Sequence, residues 1–339
     1  MKNKIIKPAR LESGMTIGLI APASGAPDPA AIDRGITVLQ SRGFRVKEAK
    51  SLRARWGFLA APDAARLADL HAMIANPKIG AIMCMRGGYG VMRLLPRIDY
   101  ALAARNPKII VGFSDITALH LALWKKCGLV TFNGPMLLSA FAKERPGSFT
   151  LGALERTLMN AVPSGSVWEG LNSRQFRVVR HGRVSGRLIG GNLSLVAATI
   201  GTPYEIDTRG KIVFLEEVDE KPYRVDRMLT QLLLAGKLRD AVAVVFGRNV
   251  PDAESAVRER KLAGEGLPRL ASPPPARVPR DYEPVLDEVI AERLRPLGIP
   301  VLIGLPFGHI DDYATIPIGV EAVVDTRRGE LVICESAVR

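Results

Sequence analysis

The sequence predicts an α/β protein in two parts: an N-terminal parallel sheet with helices on both faces, followed by a C-terminal α+β domain. Three observations lead there. Up to about residue 163, short apolar runs alternate with amphipathic stretches, the pattern of strands joined by crossover helices. Those runs are apolar throughout instead of alternating, as strands covered on both faces must be. Beyond that point the runs shorten and tight turns such as His181-Gly182 intervene. Pro163 and Gly165 sit at the change, so the domains are placed at 1–163 and 164–339.

Residues 16–21 read as the first buried strand. A helix over 29–42 follows, with Asp28 as its cap and Gly43 ending it. A second strand is expected over 44–49. An amphipathic helix over 62–75 places Leu67, Leu70, Met73 and Ile74 on one side. Further strands are expected over 79–85, 108–113 and 129–132, with a helix over 115–127. In the second half, strands are expected over 167–171, 176–180, 183–189, 212–217, 241–246, 300–305, 320–325 and 330–334, and helices over 192–200 and 223–234. The proline-rich, charged stretch at about 249–282 reads as a mobile surface loop.

Composition excludes several classes. Hydrophobic residues make up 47% of the 339 and charged residues 24%, so a sizeable core is available and disorder is not expected. The net charge of +13 raises nucleic acid or an anionic surface as a partner. The positive excess is dispersed, however, and solvated arginines are expected instead of a nucleic-acid interface. Cys84, Cys127 and Cys334 are odd in number and widely spaced, with no CxxC pair. That usage points to no zinc site and fits a reducing cytoplasm. The N-terminus imitates a secretory leader, but Pro8, Arg10 and Glu12 interrupt it and the apolar core from Ile17 to Ala21 is too short. No run of about 18 apolar residues occurs, so no membrane span is expected.

Chemistry can reside in three places. Ser114 stands where an apolar strand meets a helix, in IIVGFSDITALHLALWKK. A serine there can be presented above the carboxyl edge of a sheet, with free helix N–H groups beside it. It can equally be a plain N-cap, and the G-x-S-x-G elbow is incomplete because Ile116 stands at the second glycine position. The second place is MCMRGGYGVMRLL, where Gly87 and Gly88 follow a strand directly and either allow close backbone approach to a ligand or form a plain tight strand-to-helix turn. It lacks the spacing of a dinucleotide or nucleotide loop. Cys84, inside that apolar strand, reads as a core cysteine.

The third place is the histidine set. His71 and His120 fall within helices and His181 within a turn, whereas His309 follows a strand in the loop sequence LPFGHIDDYATIPIG, where it is a candidate base or, without a partner, a solvated loop histidine. A serine nucleophile needs such a base, and the base needs a carboxylate to fix its tautomer. Glu216 and Glu217 end an apolar strand and must point to opposite faces, so only one can serve. No cluster has metal-ligand spacing.

Together IGLIAPAS, RGGYG, GFSD, GGNLSL, LEEVDEKPYRVDRML and GLPFGH resemble the LD-carboxypeptidase (muramoyltetrapeptide carboxypeptidase) family over nearly the whole chain. The resemblance implies a flavodoxin- or glutamine-amidotransferase-like N-terminal domain and a distinct C-terminal domain. It implies a Ser-His-Glu hydrolase with Ser114 as nucleophile, Glu216 as acid and His309 as base. It further implies an oxyanion hole from the backbone N–H of Asp115 and one of Gly87 and Gly88. The expected reaction removes the terminal D-alanine from murein tetrapeptide at its L,D bond, in cell-wall recycling, without a cofactor or a metal. Arg86 is the candidate to face the terminal carboxylate, with a structural ion pair as its other reading. A cytoplasmic homodimer is expected. The family also contains immunity-type hydrolases of aminoacyl-nucleotide antibiotics, which is the alternative; Trp168 could stack on a base in that case, or be a core residue. The segment at about 249–282 departs from the family by its length and proline content.

Overall fold

The computed structural model describes residues 4–143, 147–248 and 286–339. The loop expected at about 249–282 lies outside the described residues. The first sheet is built from β1 (Thr16–Ile20), β2 (Arg45–Glu48), β3 (Ile79–Cys84), β4 (Ile109–Gly112) and β5 (Thr131–Asn133), all parallel. Their spatial order is β5-β4-β3-β1-β2, the flavodoxin-like arrangement with its order reversal between β1 and β3. The central strands β3 and β4 are buried almost throughout, which is why their sequences are continuously apolar.

Helices α1 (Pro29–Ser41), α2 (Asp63–Ala75), α3 (Tyr100–Arg105), α4 (Thr117–Cys127) and α5 (Ser148–Met159) accompany this sheet. Asp28 caps α1 as its sequence position predicts, its Oδ1 accepting the Ala30 N–H at 2.9 Å. Residues 117–123 of α4 are all buried, because this helix is sandwiched between the first sheet and the second. His120 lies on it, fully buried, and donates from Nε2 to the Gly112 carbonyl at 2.8 Å. Burial pulls its pKa down to about 4, so it is a neutral core histidine.

The second sheet contains β6 (Gly165–Ser166), β7 (Arg177–Arg180), β8 (Arg183–Asn192), β9 (Lys211–Glu216), β10 (Ala243–Gly247), β11 (Val301–Leu305), β13 (Glu321–Asp325) and β14 (Glu330–Ile333). The order is β6-β14-β13-β8-β9-β10-β11-β7, with β8 to β11 parallel and the rest antiparallel. Helices α6 (Leu193–Ala198), α7 (Pro222–Leu234) and α8 (Leu286–Leu294) belong to this half. Only His181 and Gly182 separate β7 from β8, yet the two strands stand four places apart. Four places in a flat sheet are about 19 Å, whereas the connecting residues reach about 11 Å at most. The sheet must therefore curl strongly, and the turn does not close a hairpin.

Two expectations are corrected. Residues 167–171 are a turn and not a strand: Trp168 is buried there and its Nε1 donates to the Gly329 carbonyl at 2.7 Å. A core tryptophan satisfied in this way offers no stacking face to a nucleobase. The chain also crosses back once within 164–339. Strand β12 (Ile316–Ile318) joins the first sheet, pairing antiparallel with β5. Its three residues are too few for a periodic signal, and Pro317 is tolerated because β12 is an edge strand. The buried apolar side chains of both sheets form one continuous cluster. No helix among the described residues is long and apolar enough to cross a membrane.

Candidate active site

Strands β3, β4, β9 and β11 deliver the residues singled out in the sequence, each at or just past a carboxyl end. Ser114 follows β4 and Phe113 with φ of 61°. A residue with a β-carbon rarely occupies that left-handed region, and holding it there costs about 1–3 kcal/mol. The serine opens a 3-10 turn, Ser114–Ile116, that runs into α4. The N-terminus of that helix has no side-chain cap bond, so Ser114 is not the N-cap its position allowed. It stands on a strained strand-to-helix turn, the geometry of a presented nucleophile.

The glycine turn after β3 lies directly against this serine. A β-carbon at Gly87 would sit 2.9 Å from Ser114 Cβ and 3.5 Å from the Asp115 nitrogen. No other residue fits at 87 without displacing the serine. At Gly88, where φ is 116°, a β-carbon would meet Ser24 of the loop after β1. Ser24 Oγ accepts the Tyr89 N–H at 3.1 Å and donates to the Phe58 carbonyl at 2.6 Å, tying the turn to its neighbours. These loops follow β1 and β3, on either side of the order reversal where ligands bind in such sheets. Arg86 is half-buried at the start of the turn, and among the described residues it makes no ion pair or hydrogen bond. Cys84 is fully buried within β3, and burial pushes its thiol pKa well up.

Glu216 and Glu217 end β9 on opposite faces and do different work. Glu216 is fully buried and its Oε2 accepts from His309 Nδ1 at 2.7 Å. Glu217 instead accepts from the Ser194 N–H (2.8 Å), Ser194 Oγ (2.7 Å), Asn192 Nδ2 (2.9 Å) and the Val218 N–H (3.0 Å). It thereby anchors the start of α6. Burial, and then the neighbouring Glu216 charge, push the Glu217 pKa up.

His309 is partly exposed, at 22% of its side chain. Its ring packs on Phe113, centroid to centroid 4.8 Å, and Phe113 packs in turn on Tyr313 at 5.0 Å. Because Phe113 directly precedes Ser114, this contact brings the imidazole to the serine's turn. Tyr313 is buried, and its hydroxyl is hydrogen-bonded to Asn133 of β5. The GGNLSL stretch closes the junction from the other side. Gly191 lets Thr117 approach, since a β-carbon at 191 would lie 2.5 Å from Thr117 Oγ1, and that hydroxyl accepts the Asn192 N–H at 3.0 Å. Phe113, Tyr313, Ser24 and Thr117 were not legible as site residues, because their roles come from contacts between distant segments.

Residues 17–134 match the model of the LD-carboxypeptidase N-terminal domain, and residues 185–324 that of the LD-carboxypeptidase C-terminal domain. The chain belongs to the LD-carboxypeptidase family. A probable murein peptide carboxypeptidase of Bacillus subtilis is 37% identical over 96% of this chain and 94% of its own length. The crystal structure of a muramoyltetrapeptide carboxypeptidase from Oxalobacter formigenes superposes with a TM-score of 0.76 at 32% identity, covering 95% of this chain and 99% of that one. The microcin C7 self-immunity protein MccF, in complex with aspartyl sulfamoyl adenosine, superposes with a TM-score of 0.82 at 26% identity, covering 98% and 100%. The two-part α/β architecture is thus that of the LD-carboxypeptidases.

Proposed function

We propose that the protein is a serine LD-carboxypeptidase that removes the terminal D-alanine of a murein tetrapeptide. The observation that carries this reading is the 2.7 Å bond from Glu216 to His309, beside a serine held in the left-handed region. Glu216 fixes the Nδ1–H tautomer of His309 and stabilises the imidazolium that forms when it takes a proton. Proton exchange then runs through Nε2.

His309 takes the Ser114 proton as Oγ attacks the carbonyl carbon of the bond between the diamino acid and D-alanine. The oxyanion receives the N–H of Asp115 and one N–H of Gly87 or Gly88, donors already oriented before the reaction. His309 returns its proton to the departing D-alanine amine. Water, deprotonated by His309, hydrolyses the acyl-enzyme and frees Ser114. Arg86, half-buried at the glycine turn with no acid beside it among the described residues, faces the terminal carboxylate and restricts attack to the last residue. The substrate assignment is supported by the murein peptide carboxypeptidases, which share more sequence with this chain than MccF does. The family resemblance carries two further expectations, a cytoplasmic location and a homodimer.

The test is incubation of the full chain with murein tetrapeptide and mass analysis of the products. Tripeptide plus free D-alanine is the expected outcome, with little cleavage when the last residue is L-alanine or its carboxylate is amidated. The similarity to MccF keeps one alternative in view, hydrolysis of an aminoacyl-nucleotide. Turnover of an aminoacyl sulfamoyl adenosine with none of any murein peptide would transfer the protein to that class.

A further inference from the structure

Gly90 and Val91 share one peptide group, and that group is held at both ends by buried charges. Its C=O accepts from Arg66 Nη1 at 3.0 Å, and its N–H donates to Asp115 Oδ2 at 2.9 Å. Arg66 comes from α2 and its side chain is fully buried. It also donates to the Ala61 carbonyl at 3.0 Å and to the Pro22 carbonyl, and pairs with Asp63 at 2.5 Å. Asp115 is buried as well, and it directly follows the strained Ser114.

The arrangement is directional. The positive group meets the carbonyl oxygen and the negative group meets the amide hydrogen. Turning the peptide over would set its oxygen against the carboxylate and its hydrogen against the guanidinium. Gly90, with φ of 114°, leaves its own side of the peptide free to turn, so on that side orientation is set by what the peptide meets, while β-branched Val91 favours the observed orientation from the other. Burying two charged side chains is also a poor route to stability alone, since apolar groups of similar volume serve as well.

We infer that Arg66 and Asp115 clamp the Gly90–Val91 peptide and so set the spacing between the N–H groups of the glycine turn and the N–H of Asp115. Both are positioning residues, and Asp115 has two parts in the site: its backbone N–H faces the oxyanion while its carboxylate fixes the segment that supplies the other donor. The inference rests on the serine-hydrolase reading above.

The experiment compares the full chain with Asp115→Asn, Asp115→Ala, Arg66→Met and the double variant Arg66→Met/Asp115→Ala. It measures kcat and KM on murein tetrapeptide, the rate at which a fluorophosphonate labels Ser114, and the thermal midpoint. Labelling forms the Oγ–P bond, expels fluoride and places charge on a phosphoryl oxygen in the same oxyanion position. Loss of a well-placed oxyanion donor costs about 10²-fold or more. Asp115→Ala should therefore lower both kcat and the labelling rate by roughly that factor, with KM within about threefold of wild type. Asp115→Asn keeps an acceptor for the Val91 N–H and should stay within about tenfold. Arg66→Met should resemble Asp115→Ala, and the double variant should be no slower than the worse single, because the two act on one peptide.

A folded Asp115→Ala protein that labels at nearly the wild-type rate would overturn the inference. So would equal losses in Asp115→Ala and Asp115→Asn, or losses that add in the double variant. Should Asp115→Ala not fold, Arg66→Met against Arg66→Lys, which keeps a donor for the Gly90 carbonyl, makes the same comparison. Normal labelling of the wild type without tetrapeptide turnover would remove the murein substrate and leave the clamp to be judged by labelling. No labelling of wild-type Ser114 would remove the hydrolase reading and the clamp with it.

Discussion

The carboxyl edges of the two sheets contribute in different currencies. At the first, β3 and β4 end in backbone: a glycine turn pressed against a serine whose φ is 61°, with N–H groups as the proposed donors. At the second, β9 and β11 end in side chains: a buried glutamate and a partly exposed histidine joined by one 2.7 Å bond. The first edge is unforgiving of volume, because a single β-carbon at Gly87 would reach the serine. The second is unforgiving of charge, because Glu216 is buried with Oε1 unpartnered among the described residues and His309 as its hydrogen-bond donor. In the proposed mechanism neither edge is a site alone, and the Phe113–His309 and Thr117–Asn192 contacts join them.

The comparison can be broken first at the serine. Ser114→Ala should abolish turnover, by roughly 10⁴- to 10⁶-fold in kcat. Alanine keeps the β-carbon and therefore the backbone strain at φ of 61°, and the thermal midpoint should stay near wild type. Near-normal activity in the folded variant would mean that this edge is not where the covalent step happens.

A smaller effect separates the two glutamates at the other edge. Glu216→Gln should lower kcat by roughly 10²- to 10⁴-fold, since the amide can present its NH2 to Nδ1 and favour the wrong tautomer. Glu217→Gln should leave kcat within about tenfold. It should instead cost about 1–3 kcal/mol of stability in urea unfolding, because four donors lose an ionic acceptor. Equal kinetic losses at 216 and 217 would contradict the division of labour between the two faces.

The smallest effect tests the claim about volume. Gly87→Ala should reduce kcat by roughly 10- to 100-fold, because the added methyl pushes on Ser114 Cβ and Oγ and shifts both oxyanion segments. Its binding of product tripeptide, measured by calorimetry, should change far less. An unchanged kcat would show that the turn yields without disturbing the serine.

Sequence alone determined the alternation of apolar strands and helices in the first half, because burial on both faces leaves a continuous apolar run that needs no partner to be recognised. It placed Ser114, His309 and the Glu216–Glu217 pair at strand ends, because punctuation by glycine, proline and charge is local. The opposite facing of the two glutamates also follows from strand geometry. Which of them meets His309 did not follow from local geometry, because 93 residues separate the pair that bonds and only the packing of β9 beside β10 and β11 closes that distance. The return of Ile316–Ile318 to the first sheet, the turn at Trp168 and the burial of Arg66 were hidden for the same reason. Three apolar residues, one tryptophan and one arginine carry no periodic signal, and their neighbours come from elsewhere in the chain. Ser114's φ likewise belongs to the tertiary structure: Gly87 lies against its β-carbon and α4 lies between the two sheets, neighbours from distant segments around a serine whose own backbone preference is elsewhere.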